Sequence, residues 1–145
     1  MAEAAPRIDV VEPARAEAFF AAAEREALGS AYGFPVVWHA RRYALVAVAA
    51  DGTYDGALEL LVAASLATVE RLVVAPGRRR LGRGRALLER AEVLGSYYNC
   101  HKVTAAVPVL GGALAFFEAC DFRIEATLVQ HAFKRDVALV RKFLL

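Results

Sequence analysis

The chain has 145 residues, 58% of them apolar, with 18 lysines and arginines against 16 acidic residues and a formal charge of +2. That length suits one domain with its own core, expected to span residues 1–145, and the apolar content excludes a disordered chain. The near-balanced charge argues little about partners by itself, and a local arginine cluster keeps nucleic-acid binding as an alternative; no nucleic-acid or membrane partner is expected.

The longest apolar runs, 43–50 and 57–64, fall well short of the roughly 18 residues that a membrane-spanning helix needs. Residues 1–6 lack the basic start and apolar core of a secretory signal, and a cytoplasmic location is expected. Cys100 and Cys120 form no CxxC pair, and no His or Cys stands at zinc-finger spacing. Reduced thiols and no metal site are expected.

Taken in chain order, Ile8-Asp9-Val10-Val11 alternates weakly and predicts a first strand. Residues 14–28 are rich in Ala, Glu and Arg, with Phe19, Phe20 and Ala23 at helical spacing, and predict an amphipathic helix. Two glycines and a proline in 29–35 predict a mobile loop. From Val36 the sequence becomes aromatic and β-branched, runs through 43–50, meets Asp51-Gly52 and resumes at 57–62, the pattern of an antiparallel hairpin. A third strand over 67–74 stops at Ala75-Pro76-Gly77. Leu81, Leu87, Leu88, Ala91 and Leu94 share one helical stripe, so 81–94 packs on the sheet. Residues 102–109 read as a buried strand, 113–119 as a short helix, and 122–130 and 132–140 as closing strands. The fold class is α+β, with a mixed, mostly antiparallel central sheet of about seven strands; three helices are read segment by segment and about four are expected in all.

The chemistry concentrates in the turn between the third strand and the following helix. A turn that opens directly into a helix aims several unpaired backbone N–H groups at one spot, and the positive end of the helix dipole lies there too. That is an anion site suited to a pyrophosphate. Gly82 and Gly84 remove Cβ atoms from the path of phosphate oxygens, and five arginines between positions 78 and 85 supply charge. Two familiar phosphate loops fail against it. Gly77 and Gly82 have P-loop spacing, but Arg83-Gly84 replaces the Lys-Ser/Thr pair. Gly82-x-Gly84 lacks the third glycine of a dinucleotide fingerprint, since Leu87 stands there, and a meander precedes it in place of a βαβ unit.

Arg79-x-x-Gly82-x-Gly84 resembles the Q/R-x-x-G-x-G/A signature of the GNAT superfamily of N-acetyltransferases. Downstream, Ala113-Leu114-Ala115-Phe116-Phe117-Glu118-Ala119-Cys120-Asp121-Phe122 resembles the family's A-x-x-F-Y-E-x-x-G-F segment, so the likeness covers nearly the whole chain. It implies an α/β/α fold splayed between the two central parallel strands. It implies acetyl-CoA as acetyl donor and a primary amine, of a small molecule or a protein, as acceptor. The cofactor residues that follow are Leu72, Val73 and Val74 on the strand and Arg79, Arg80, Leu81, Gly82, Arg83 and Gly84 in the turn, with Phe117 on the short helix. A backbone N–H near Val74 would polarise the thioester.

An amine near pKa 10.4 is almost wholly charged at neutral pH and needs a base. Glu70, on the strand leading into the turn, is the candidate catalytic residue; an ion pair with Arg71 or another arginine is the competing role, and Glu59 is the reserve. Phe117 stands where the family commonly has a tyrosine that protonates the leaving sulfur, and Leu110 where it often has an asparagine. Arg80 and Arg83 stand where glycine and an aliphatic residue are usual. These departures motivate the alternative of a catalytically impaired domain that binds acetyl-CoA as a sensor or partner module. The apolar run 137–145 leaves a homodimer open.

Overall fold

The computed structural model describes residues 4–79 and 81–144. They fall into two compact units that divide between Trp38 and His39.

The first unit holds a 3-10 turn at Pro13–Arg15 and helix α1, Glu17–Tyr32. The strand expected at Ile8 to Val11 does not form. Ile8 and Val10 are 83% and 101% exposed, and without a neighbouring strand the alternation has nothing to pair with. The helix also outruns its expected end and takes in the first part of the loop expected over 29–35. A single interior glycine costs a helix only about 1 kcal/mol, so Gly29 does not stop it. Gly33 does: its left-handed backbone (φ 79°) lets its N–H bond the Gly29 carbonyl at 2.9 Å.

The second unit is a six-stranded mixed sheet with two helices. The strands are β1 (Arg41–Val48), β2 (Tyr54–Ala63), β3 (Leu66–Val74), β4 (Lys102–Pro108), β5 (Arg123–Leu128) and β6 (Val137–Phe143), in spatial order β1-β2-β3-β4-β6-β5. Among the described residues only β3 and β4 run parallel, and α2 (Arg83–Tyr97) connects them; α3 (Ala113–Ala119) follows β4. Six strands and three α-helices are thus seen among the described residues, against the seven and four expected.

Local chemistry sets the two hairpin turns of the meander. Thr53 donates its N–H and hydroxyl to Asp51 Oδ1 at 3.0 and 2.6 Å, and the hydroxyl bond first, then the N–H bond, holds that carboxyl below its ordinary pKa. Ala64 and Ser65 both adopt positive φ, the backbone a two-residue turn needs to match the twist of β2 and β3. The last strand, expected from residue 132, begins at Val137, because Ala132–Lys134 forms a 3-10 turn with Phe133 and Lys134 in left-handed conformations.

Leu58, Leu60, Leu88, Val103 and Val140 are almost wholly buried, so the core lies where α2 crosses the central strands. Phe117 and Phe122 continue it beneath α3, with ring centroids 5.2 Å apart in an edge-to-face pair. No helix among the described residues is long and apolar enough to cross a membrane.

Candidate functional site

The site originates in an irregularity of β3. Leu60 pairs with Val69 and Glu59 with Arg71, so Glu70 is an extra residue without a partner across the ladder, a β-bulge. The parallel ladder with β4 ends at the same level, since Val69 opposite Ala105 is its last pair although β3 continues to Val74 and β4 to Pro108. The two strands therefore part in mid-sheet. A cavity of about 130 Å³ lies there, lined by Glu70, Leu72, Ala106, Pro108 and Phe117 among others.

Beyond β3 the chain turns through Ala75-Pro76-Gly77 into α2. Gly82 caps that helix with φ 77°, a backbone that favours glycine, and among the described residues no side chain caps the first-turn N–H groups. A larger cavity, about 720 Å³, opens at this helix start and falls within the range of small-molecule sites. It is bounded by Leu72, Val73 and Val74 of β3, by Arg79, Gly82, Arg83 and Gly84 of the turn and α2, and by Phe117 of α3. Leu72, Ala113 and Phe117 line both cavities, which are therefore adjacent.

Eight of the ten residues that the sequence nominates for the cofactor thus surround one space. Leu81 does not line it and is half exposed; Arg80 lies outside the described residues. Glu70 lines only the smaller cavity, and its carboxylate accepts from Arg42 Nε at 2.8 Å. Glu59, the reserve base, accepts from Arg71 at 2.7 Å. Hydrogen bonding and charge from these acids raise the pKa of both arginines.

Gly84 has a structural reason beyond the one read from sequence. A Cβ there would stand 2.9 Å from Phe116 Cζ, so the glycine admits an aromatic ring from α3 against the first turn of α2. Further residues meet here that the sequence reading did not nominate singly for the donor. Phe116 and the Gly112-Ala113 start of α3 line the cavity, as does Arg85, whose guanidinium also donates to the Ala119 carbonyl at 3.0 Å. Asp55 lies behind the turn, 3% exposed, with Arg78 and Arg83 on its two oxygens at 3.3 and 3.1 Å. The available signal for it was a lone carboxylate at the head of an apolar strand, in Tyr54-Asp55-Gly56.

Residues 15–124, more than half of the chain, match the family model described as an acetyltransferase (GNAT) domain. The chain belongs to the GNAT acetyltransferase family. It is an acyltransferase, and acetyltransferases of this family draw on acetyl-CoA as donor. Solved structures share the GNAT fold. An acetyltransferase from Bacillus cereus superposes with a TM-score of 0.75 at 15% identity, over 96% of this chain and 98% of its own. A Bacillus subtilis acetyltransferase in complex with CoA gives 0.66 at 18% identity, over 72% and 78%. The spermidine/spermine N-acetyltransferase SpeG from Vibrio cholerae gives 0.62 at 25% identity, over 83% and 74%. No curated protein matches this GNAT chain in sequence.

Proposed function

We propose that this chain is an N-acetyltransferase that carries acetyl from acetyl-CoA to a primary amine of a small molecule or protein, and that residues 1–145 form one such domain. The observation that carries this reading is the convergence of the nominated residues on one cavity, at the end of two strands that part where β3 bulges. The family match runs through both compact units, which supports the single domain. The SpeG neighbour, an N-acetyltransferase of polyamines by its name, supports an amine acceptor.

Fit to the donor is argued from the space itself. The uncapped start of α2, with Arg79 and Arg83 beside it, suits a pyrophosphate. The stretch of β3 that β4 leaves unpaired, residues 72–74, suits an extended amide-bearing arm. Bound there, the donor would supply a thioester whose C–S bond breaks as the amine nitrogen forms its C–N bond; the sulfur would leave as thiolate, and the nitrogen's second proton would pass to that thiolate or to water. A backbone N–H near Val74 polarises the carbonyl. Glu70, placed where the strands part, takes the proton from the incoming ammonium directly or through water, exchanging its contact with Arg42 to do so. A cytoplasmic location is part of the proposal.

A second reading, an acetyl-CoA-binding module with impaired catalysis, draws on Phe117. Its ring is buried against Phe116 and Phe122 and has no proton to give. Thiols ionise near pH 8.5, however, so the sulfur departs with modest help. Calorimetry of CoA binding, with Gly82→Trp as control and ATP as competitor, followed by thiol release over a panel of amines, separates the readings. Selective binding with thiol release supports the enzyme; binding with no release from any amine supports the module; no binding sinks both.

A further inference from the structure

Among the described residues Asp55 is the one buried charged side chain, and its surroundings are those of a fastener. Its backbone carbonyl accepts from the Ala75 N–H at 2.7 Å, which ties the head of β2 to the point where the chain leaves β3. Its carboxylate takes Arg78 Nε on Oδ1 at 3.3 Å and Arg83 Nε on Oδ2 at 3.1 Å. Arg83 in turn donates from Nη1 to the Leu81 carbonyl at 3.0 Å. The carboxylate is 4% exposed while the two arginine side chains are 54% and 40% exposed, so the guanidinium groups reach inward from the surface to meet it. Gly56 lets this segment lie close beneath β3, because a Cβ there would stand 3.0 Å from the Val73 carbonyl oxygen.

A carboxylate is an odd neighbour for a site meant to hold phosphates. If the arginine turn worked by charge alone, Asp55 would weaken it by cancelling one positive charge close by. Its geometry accounts for its presence: five arginines within eight positions repel one another, and Asp55 joins the two that flank residues 79–82. We infer that Asp55 is a positioning residue of the donor site, which fixes the arginine turn in its ligand-ready shape before the donor arrives. The inference rests on the acetyl-CoA reading above. It also makes a prediction of sign. Removing the negative charge strengthens CoA binding if charge supply governs the site, and weakens it if the ordering of the turn governs.

The test is calorimetry of the full chain and its Asp55→Asn variant with two probes, CoA and pantetheine, the second lacking every phosphate. Losing the preformed turn is expected to weaken CoA binding about tenfold while pantetheine stays within about twofold. Unchanged or tighter CoA binding overturns the inference, and so does an equal loss for both probes, which marks a general loosening of the fold. If circular dichroism shows that Asp55→Asn does not fold, Arg78→Lys takes its place. It keeps the charge and alters only the contact, and the same selective loss is expected, at about threefold. Unchanged CoA affinity in that variant overturns the inference equally. No CoA binding by the unsubstituted chain sinks the donor reading itself, whereas normal binding there and in the variants sinks only the role of Asp55.

Discussion

Gly84→Ala tests the packing account of the motif glycine. The new methyl would lie 2.9 Å from Phe116 Cζ and 3.2 Å from Cε2. Carbon atoms prefer about 3.5–4.0 Å, so the ring must withdraw by roughly 0.6 Å. It has little freedom to do so, because it stands edge-to-face against Phe117, 5.6 Å between centroids, and Phe117 leans on Phe122. Overpacking of this kind costs about 1–3 kcal/mol. Alanine's preference over glycine inside a helix offsets up to about 1 kcal/mol. A net destabilisation of about 1 kcal/mol is expected, read by urea unfolding followed by circular dichroism. Phe116→Leu removes the offending ring atoms, so the double-mutant cycle should show a favourable coupling of about 1 kcal/mol. The same displaced ring intrudes on the large cavity, so Gly84→Ala should weaken CoA binding and Phe116→Leu should restore part of it. Equal losses in both backgrounds, or no loss at all, refute the reasoning and return Gly84 to a role set by phosphate approach alone.

Glu70→Gln should lower kcat at least about 100-fold while leaving the Kd for CoA within about twofold, measured by thiol release and calorimetry; unchanged kcat removes Glu70 from the reaction. Its pairing with Arg42 is largely exposed, 60% on the arginine side, so stability should change by less than about 1 kcal/mol. Phe117→Tyr supplies the missing proton donor and should raise kcat by about tenfold or less, because a thiolate already leaves readily; a fall in kcat with normal folding shows that the buried ring has no room for a hydroxyl. Burial pushes the Cys100 and Cys120 thiols up, so at pH 8 both should label slowly in the folded chain and fully in denaturant. The sign follows from linkage: their contribution to stability is intact below the ordinary thiol value of about 8.5 and is lost as pH rises through the raised ones.

Much of the second unit was legible because its signals are local. Alternation with Asp51-Gly52 between two apolar runs specifies a hairpin, and a leucine stripe following Gly82 specifies a helix on a sheet. The short helix was read at its exact bounds from Ala113 to Ala119. What escaped depends on partners distant in sequence. Whether residues 8–11 pair is decided by a neighbouring strand, which alternation does not report. The bulge at Glu70 is a property of two strands in register, invisible in either alone. Asp55 meets Arg78 and Arg83 only after a hairpin folds back, 23 and 28 positions along the chain. Most of the residues nominated for the donor could be grouped from sequence because strand, turn and helix are contiguous; an arginine partner for Glu70 was foreseen, but not that it would be Arg42, which comes from a different strand.

The seam between β3 and β4 also bears on how the sheet breathes. On one side β1, β2 and β3 are stitched antiparallel along nearly their whole lengths, and on the other β4, β6 and β5 are stitched likewise. Among the described residues the ladder between the two halves has four register pairs, from Leu66–Lys102 to Val69–Ala105, extended by the His101 N–H on the Ser65 carbonyl at 3.0 Å, with α2 laid across beneath them. Opening fluctuations should therefore run along this line and leave each half intact. Amide hydrogens of β3 past Val69 that face the gap should exchange faster than those before it, and a ligand lying in the gap should slow them by acting as the strand that the sheet leaves out.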